Sequence, residues 1–163
     1  MRFLFLLLAA LSASAAAQPP LAEQAAGGDH PEARAFEESA DAAADLDAAL
    51  VRAAGSDKRV LLVLGANWCH DSRSLAGWFA QPRFAAMLAP KYEIVYVDVG
   101  HRDRNLDIAR RFGIEAIRGT PTVLVLSAGG ALLNRRSAPK WRNAASRGED
   151  DIFAYFDQFV PEP

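Results

Sequence analysis

The sequence contains one cysteine, Cys69, among 163 residues. A single thiol excludes a disulfide within the chain, and its position excludes an N-terminal lipid anchor, which requires a cysteine at the cleavage site. The chain also lacks an excess of charge of either sign, because its formal net charge is −2. The chain therefore has no surplus of basic residues that would predict binding to nucleic acid or to an anionic membrane. Hydrophobic residues make up 51% of the chain, which is ordinary for a folded domain.

Long apolar runs are scarce as well, and the one near the N-terminus has the features of an export signal. Arg2 precedes an apolar run over residues 3–11, and the small residues 15–17 fit a signal-peptidase cleavage site. The run is shorter than the ~20 residues that span a bilayer, although an uncleaved N-terminal anchor is the alternative. We predict a signal peptide at 1–17 and a periplasmic or secreted mature protein. Later segments are broken by charges or proline, so no membrane contact is expected after cleavage.

The rest of the chain predicts one α/β domain. Residues 18–40 have the composition of a linker followed by the start of an N-terminal helix, and residues 41–160 form the predicted domain. Continuous apolar stretches predict strands buried on both faces of a sheet, and apolar residues at helical spacing predict the helices. The predicted elements are a helix at about 32–54, a strand at 60–64, a helix after residue 69 that restarts at Pro82, a strand at 92–99, a helix at 106–112, a strand hairpin at 122–126 and 131–133, an irregular basic segment at 134–148 and a closing helix at 150–160.

The motif whose side chains could carry out a reaction is Trp68-Cys69-His70-Asp71-Ser72, which follows the first predicted strand. A thiol at the start of a helix meets unpaired backbone N–H groups, which favour the thiolate. His70 adds positive charge when protonated, Asp71 opposes that effect, and Ser72 is placed to donate its hydroxyl to the sulfur. We therefore predict Cys69 as a nucleophile assisted by His70 and Ser72. The alternative is a small buried cysteine beside residues that only cap the helix.

A second motif, Thr120-Pro121-Thr122, stands directly before the predicted hairpin. Together and in this order, the two motifs resemble the thioredoxin-like superfamily, in particular exported bacterial members, here with a monothiol Cys-His-Asp-Ser sequence. The resemblance implies a thioredoxin fold, in which a central mixed four-stranded sheet is flanked by helices, with an extra helix at the N-terminus. It also implies that Pro121 is cis and lies beside Cys69, and that Thr120 and Trp68 contact an extended substrate.

Ser72 stands where a dithiol thioredoxin has its second cysteine. Because a hydroxyl cannot attack a disulfide sulfur, the chain cannot cycle through an internal disulfide and is expected to form mixed disulfides. The predicted partners are protein thiols or disulfides, glutathione, or a second copy of the chain linked through Cys69. The alternative function is a non-catalytic binding or chaperone-like module. Val63 occupies the position of an acid that many thioredoxins bury, and the strand-end Asp98 is predicted to be a solvated cap rather than a catalytic group.

Trp141 and Arg142, in the basic segment, are predicted to line a groove for a client or glutathione, since arginine binds carboxylates and tryptophan anchors contacts. The alternative places Trp141 against the body of the domain. The chain has three histidines, His30, His70 and His101. None has metal-ligand spacing with Cys69, so we predict no metal site, and no cofactor is expected.

Overall fold

The computed structural model describes residues 30–162, which form an α/β fold. Its elements, in chain order, are α1 (Ala42–Ser56), β1 (Arg59–Gly65), α2 (His70–Ala80), α3 (Pro82–Leu88), β2 (Tyr92–Asp98), α4 (Leu106–Arg110), β3 (Thr122–Leu126), a 3-10 helix (Ala138–Ser146) and α5 (Glu149–Asp157). Within the described range, no helix is both long and apolar enough to cross a bilayer. The predicted signal peptide at 1–17 lies outside the described residues.

Three strands form the sheet in the order β2, β1, β3. Strand β1 is parallel to β2, with Leu62 opposite Val95, and antiparallel to β3, with Leu62 opposite Leu124. The prediction of a mixed sheet is therefore confirmed. Every residue of β1 after Arg59 is buried, because helices cover both faces of the sheet. The continuous apolar run thus identified the central strand correctly.

Within residues 30–162 the sheet has three strands rather than the four predicted. After a tight turn the chain returns beside β3 for a single bridge, between Leu126 and Leu132. The buried side chain of Asn134 then replaces strand pairing. Its Oδ1 accepts from the Val125 N–H at 2.8 Å, and its Nδ2 donates to the Val123 C=O at 2.9 Å. One amide supplies both a donor and an acceptor, so it closes the edge of β3 where a fourth strand was expected.

The core has two layers, one on each face of the sheet. Helices α1 and α4 cover one face, while α2, α3, the 3-10 helix and α5 cover the other. Alternate residues of β1 point to opposite faces, so Leu62 packs in the first layer and Leu61 in the second. The second layer is rich in aromatic side chains, namely Phe36, Phe79, Phe84, Trp141 and Phe156. This packing on both sides fixes the end of β1, from which the chain enters the cysteine motif.

The segment before α1 is packed on the domain, whereas the sequence predicted linker and an early start of the helix. Helix α1 begins at Ala42, where the side chain of Asp41 accepts from the Ala44 N–H at 3.0 Å and caps the helix. Phe36 is fully buried, and its backbone N–H and C=O both bind the Asn67 amide, at 3.2 and 2.7 Å. The described domain therefore includes residues from about 30, not only from 41.

The basic segment at 134–148, predicted to be irregular, contains the 3-10 helix Ala138–Ser146. Trp141 in this helix is 1% exposed, and its ring stacks on Phe156 with centroids 4.7 Å apart. The prediction that Trp141 lines a client groove is therefore wrong. The alternative interpretation, in which the indole packs against the body of the domain, is the observed one, because a large apolar ring is stabilised most by full burial.

Candidate active site at the start of helix α2

Cys69 is the N-cap residue of α2. Its backbone N–H donates to the Ala66 C=O at 3.1 Å, and its C=O accepts from the Arg73 N–H at 3.0 Å, so the short turn after β1 leads directly into the helix. The unpaired N–H groups of the first helical turn lie at this end of α2, where the helix dipole favours negative charge. The cysteine side chain is 8% exposed, and it therefore reaches the surface at only a small window.

The thiol faces the loop that precedes β3. Cys69 Sγ donates a hydrogen bond to the Thr120 C=O at 3.2 Å, across 51 positions of the sequence. The Thr120–Pro121 peptide bond is cis. The loop is held in place by Thr122, whose hydroxyl donates to the Gly119 C=O at 2.9 Å. The two motifs that the sequence singled out thus meet at one point of the fold.

Ser72 lies in the first turn of α2, but its hydroxyl binds the end of β1 instead of the sulfur. Its Oγ accepts from the Ala66 N–H at 3.5 Å, and the residue is fully buried. A Cβ on Gly65 would lie 2.8 Å from this oxygen, so glycine permits the close approach of strand and helix. Among the described contacts, Ser72 holds β1 against α2, and the predicted hydrogen bond to Cys69 is not formed.

His70, predicted to assist the nucleophile, contacts the N-terminal segment. Its Nδ1 lies 2.7 Å from Glu32 Oε1, and its ring centroid lies 4.7 Å from that of His30. Glu32 also pairs with Arg73, at 2.9 Å. The hydrogen bond from Arg73, together with His70, lowers the pKa of Glu32 against the opposing effect of burial. The Glu32 carboxylate therefore offsets the positive charge that a protonated His70 would bring to this end of the helix.

Trp68, which directly precedes Cys69 in the sequence, provides an exposed aromatic surface. Its side chain is 50% exposed, its Nε1 donates to the Gly100 C=O at 2.9 Å, and its ring stacks on His101 with centroids 5.0 Å apart. The hydrogen bond and the stacking hold the indole in one orientation at the surface. The site therefore presents a fixed, half-exposed indole at the position before Cys69.

A groove of about 1130 Å³ adjoins Trp68 and is lined mainly by polar and charged side chains, including Glu32, Arg34, Asn67, Asp98 and Arg104. Asp98 is 5% exposed and pairs with Arg104 at 3.1 Å. Arg104 also pairs with Glu38 at 3.1 Å. The prediction of a solvated Asp98 is therefore wrong, because β2 ends inside the groove, where Arg104 balances the buried carboxylate.

The 3-10 helix is attached to both motifs. Asp71 Oδ1 accepts from the Ala145 N–H at 2.9 Å, which ties the helix to the first turn of α2. Arg142 lies over the proline loop, since a Cβ on Gly119 would lie 3.0 Å from its Cδ. Arg142 is exposed there, so the structure brings it to the side of the loop, while its neighbour Trp141 is in the core.

Three residues that organise this region were not predicted from the sequence: Glu32, His30 and Asn67. Each belongs to contacts between the N-terminal segment and the start of α2, and the Asn67 contacts cross 31 positions. Such contacts leave no periodic signal. The only hint is the place of Asn67, a polar side chain in the turn between a buried strand and the cysteine.

A sequence profile of the thioredoxin-like family matches residues 41–128. The chain therefore belongs to the thioredoxin-like family. Among solved structures, it is similar to the disulphide isomerase from Xylella fastidiosa Temecula1, with 32% identity over 76% of this chain and 95% of that chain, and a TM-score of 0.69. A Pseudomonas aeruginosa protein of unknown function is 22% identical over 69% of this chain and 75% of its own, and its TM-score of 0.39 adds no argument. No curated protein matches the sequence.

Proposed function

We propose that this protein is a thiol–disulfide exchange protein that acts through one nucleophilic sulfur, that of Cys69. Family membership and the similarity to a disulphide isomerase support exchange chemistry in general. The observation that carries the single-cysteine proposal is the contact of Cys69 Sγ with the Thr120 C=O at 3.2 Å, beside Pro121. An extended client can pair with the backbone of this loop while its own sulfur approaches Cys69.

The proposed reaction is an exchange of one disulfide for another. The Cys69 thiol releases its proton to solvent, and the thiolate attacks one sulfur of a client or glutathione disulfide. A new S–S bond to Cys69 forms while the original S–S bond breaks, and the leaving thiolate takes up a proton. The sequence has one cysteine, so a second, external thiol must attack the mixed disulfide and release the client.

The surroundings of Cys69 suggest how a client is held. We assign contact roles to Trp68, which is half exposed, and to Arg142, which lies beside the proline loop. Arginine at the loop suits a client or glutathione carboxylate. The signal-like pattern of residues 1–17 supports export, and the proposed place of action is therefore the periplasm or the cell exterior, where disulfides persist.

A non-catalytic binding module is the second candidate, and the 8% exposure of Cys69 favours it. In that case the proline loop binds a partner and the sulfur takes no part. Treating the folded mature protein with glutathione disulfide and measuring its intact mass separates the two. Exchange predicts one glutathione per chain, absent from Cys69→Ser and removed by added dithiothreitol. If glutathione were attached only after unfolding in urea, exchange would be excluded and the binding module would be the remaining function. A gel run without reductant shows whether Cys69 links two copies of the chain.

The role of Ser72 is tested by Ser72→Cys. A thiol in this first turn of α2 is expected to attack the Cys69–glutathione disulfide, release glutathione and leave an internal disulfide, visible as a loss of two hydrogen atoms in the intact mass. Ser56→Cys is the matched control, because Ser56 is exposed at the end of α1. The control should keep its adduct. Equal adduct lifetimes in the two variants would contradict the proposal that the serine prevents internal release.

A further inference from the structure

His30, Glu32 and His70 bring three potential metal ligands together beside the start of α2. One donor atom from each lies within 4.8 Å of the others. We propose that this cluster binds a divalent transition-metal ion, with Zn²⁺ as the representative, and that water completes the coordination. Two imidazole nitrogens and a carboxylate oxygen form a donor set that suits zinc, and an open fourth position is common in such sites.

The strongest single observation is at His30. Its Nδ1 is buried and has no hydrogen-bond partner within residues 30–162. Burying a polar atom without a partner is unfavourable, and such atoms are rare in folded proteins. A metal bond to this nitrogen would give it a partner.

Glu32 is held in a suitable position by a residue outside the cluster. Arg73 Nε donates to Glu32 Oε2 at 2.9 Å, and Arg73 Nη1 donates to the Asn67 C=O at 3.0 Å. The other carboxylate oxygen, Glu32 Oε1, then faces His70 Nδ1 at a distance of 2.7 Å. Outer-shell hydrogen bonds of this kind orient metal-binding carboxylates, and they make the site stiffer than three surface side chains would be alone.

The distances require a small rearrangement on binding. Ligand atoms of a tetrahedral zinc ion lie about 3.3 Å apart, given bonds of roughly 2.0 Å. His70 Nδ1 and Glu32 Oε1 are 2.7 Å apart and must separate slightly, whereas ligand atoms of the cluster that are up to 4.8 Å apart must approach. The side chains of His70 and Glu32 are 54% and 31% exposed, so both can rotate without disturbing the core. The ion would replace the direct contact between His70 Nδ1 and Glu32 Oε1.

The site contains no atom of Cys69, so zinc binding is separable from exchange chemistry. The full mature protein carrying Cys69→Ser is titrated with Zn²⁺ by calorimetry, which removes any contribution of the thiol. We expect one ion per chain. His30→Ala, Glu32→Gln and His70→Ala should each weaken binding by at least ~10-fold, since even loss of an outer-shell partner costs about 10–100-fold. His101→Ala is the matched control and should leave the affinity unchanged, because His101 stacks on Trp68 and is not one of the three cluster residues.

Co²⁺ gives a second readout that does not depend on affinity changes in variants. Bound to the protein with Cys69 intact, it should show the visible bands of nitrogen and oxygen coordination without a sulfur-to-cobalt charge-transfer band. Those bands should disappear in His30→Ala, with circular dichroism confirming that the variant is folded. Binding that survives His30→Ala unchanged, that requires Cys69, or that is absent from the parent chain would overturn the proposal.

Discussion

Gly65, the last residue of β1, is a tightly packed position next to the site. A Cβ there would lie 2.6 Å from the Phe36 ring and 2.8 Å from Ser72 Oγ, and both neighbours are fully buried. Overpacking of this kind costs about 1–3 kcal/mol, because the buried neighbours must shift. We predict that Gly65→Ala lowers the free energy of unfolding by that amount, as measured by urea denaturation followed by circular dichroism.

Gly55 offers the matched control for this substitution. It lies within α1, and a Cβ there would meet no atom within 4 Å. Gly55→Ala is therefore expected to raise the free energy of unfolding by about 0.5–1 kcal/mol, through helix propensity and a less flexible unfolded chain. If Gly65→Ala and Gly55→Ala changed the free energy of unfolding equally, packing at Gly65 would not be tight.

Single-residue roles were predictable where the local sequence determines them. Cys69 caps α2 because the chain leaves a buried strand there, and Thr120 lies opposite it because β1 ends where its antiparallel neighbour β3 begins. His70 and Ser72 were harder to predict. The Ser72 hydroxyl binds Ala66 because the end of β1 packs against α2, and the His70 imidazole contacts Glu32 because a distant segment packs there. The motif itself does not encode either contact.

At the scale of elements, Asn134 determines where the sheet ends. Its fully buried amide serves the Val125 N–H and the Val123 C=O, and also donates to the Tyr155 hydroxyl at 3.3 Å. Removing it leaves buried backbone groups unpaired, at roughly 1–3 kcal/mol for each. We predict that Asn134→Ala lowers the free energy of unfolding by about 2–4 kcal/mol and speeds hydrogen exchange at the Val125 amide, measured by NMR.

Asn143 is the control for this prediction, because it is an exposed asparagine whose Oδ1 accepts only a 3.3 Å bond from Arg147 within the described contacts. Asn143→Ala should change stability by less than about 0.5 kcal/mol. If Asn134→Ala lowers stability as little as Asn143→Ala does, the backbone groups at the edge of β3 have other hydrogen-bond partners. Our account of the missing strand would then be wrong.

The elements themselves were largely predictable from apolar patterning. Strand β3 was predicted at its observed bounds, and of the kink or restart expected at Pro82 the structure shows the restart, as the new helix α3. The fourth strand was mispredicted because residues 131–133 do have strand-like composition. Their pairing is ended by the side chain of Asn134, and a contact between a side chain and a distant backbone has no periodic signature in the sequence.

At the scale of the whole molecule, the N-terminal segment forms part of the domain. Phe36 is fully buried and packs in the second core layer, edge-on to Tyr96 with ring centroids 5.5 Å apart. Deleting such a ring costs about 3–5 kcal/mol. We predict that Phe36→Ala lowers the free energy of unfolding by this amount in urea denaturation, whereas Val51→Ala, at a side chain that is 74% exposed, changes it by less than about 0.5 kcal/mol.

A mild effect of Phe36→Ala would return the domain boundary to residue 41, as the sequence predicted. The early part of the segment is rich in alanine and glutamate, which favour helix locally. Burial of one aromatic ring outweighs that preference, because full burial of a large side chain contributes about 1.5–3 kcal/mol while the propensity differences are tenths of this. Local composition therefore predicted the wrong structure for this segment, because a single long-range contact determines its conformation.

The tryptophans of this protein differ sharply in their contact with water. Trp68 is half exposed, whereas Trp141 is sealed in the interior. A quencher dissolved in the solvent therefore reaches the indole that precedes Cys69 long before it reaches the inner one. The molecule thus contains a native fluorophore one position from its only thiol, and the colour and intensity of its emission report on whatever covers that thiol, with no label attached.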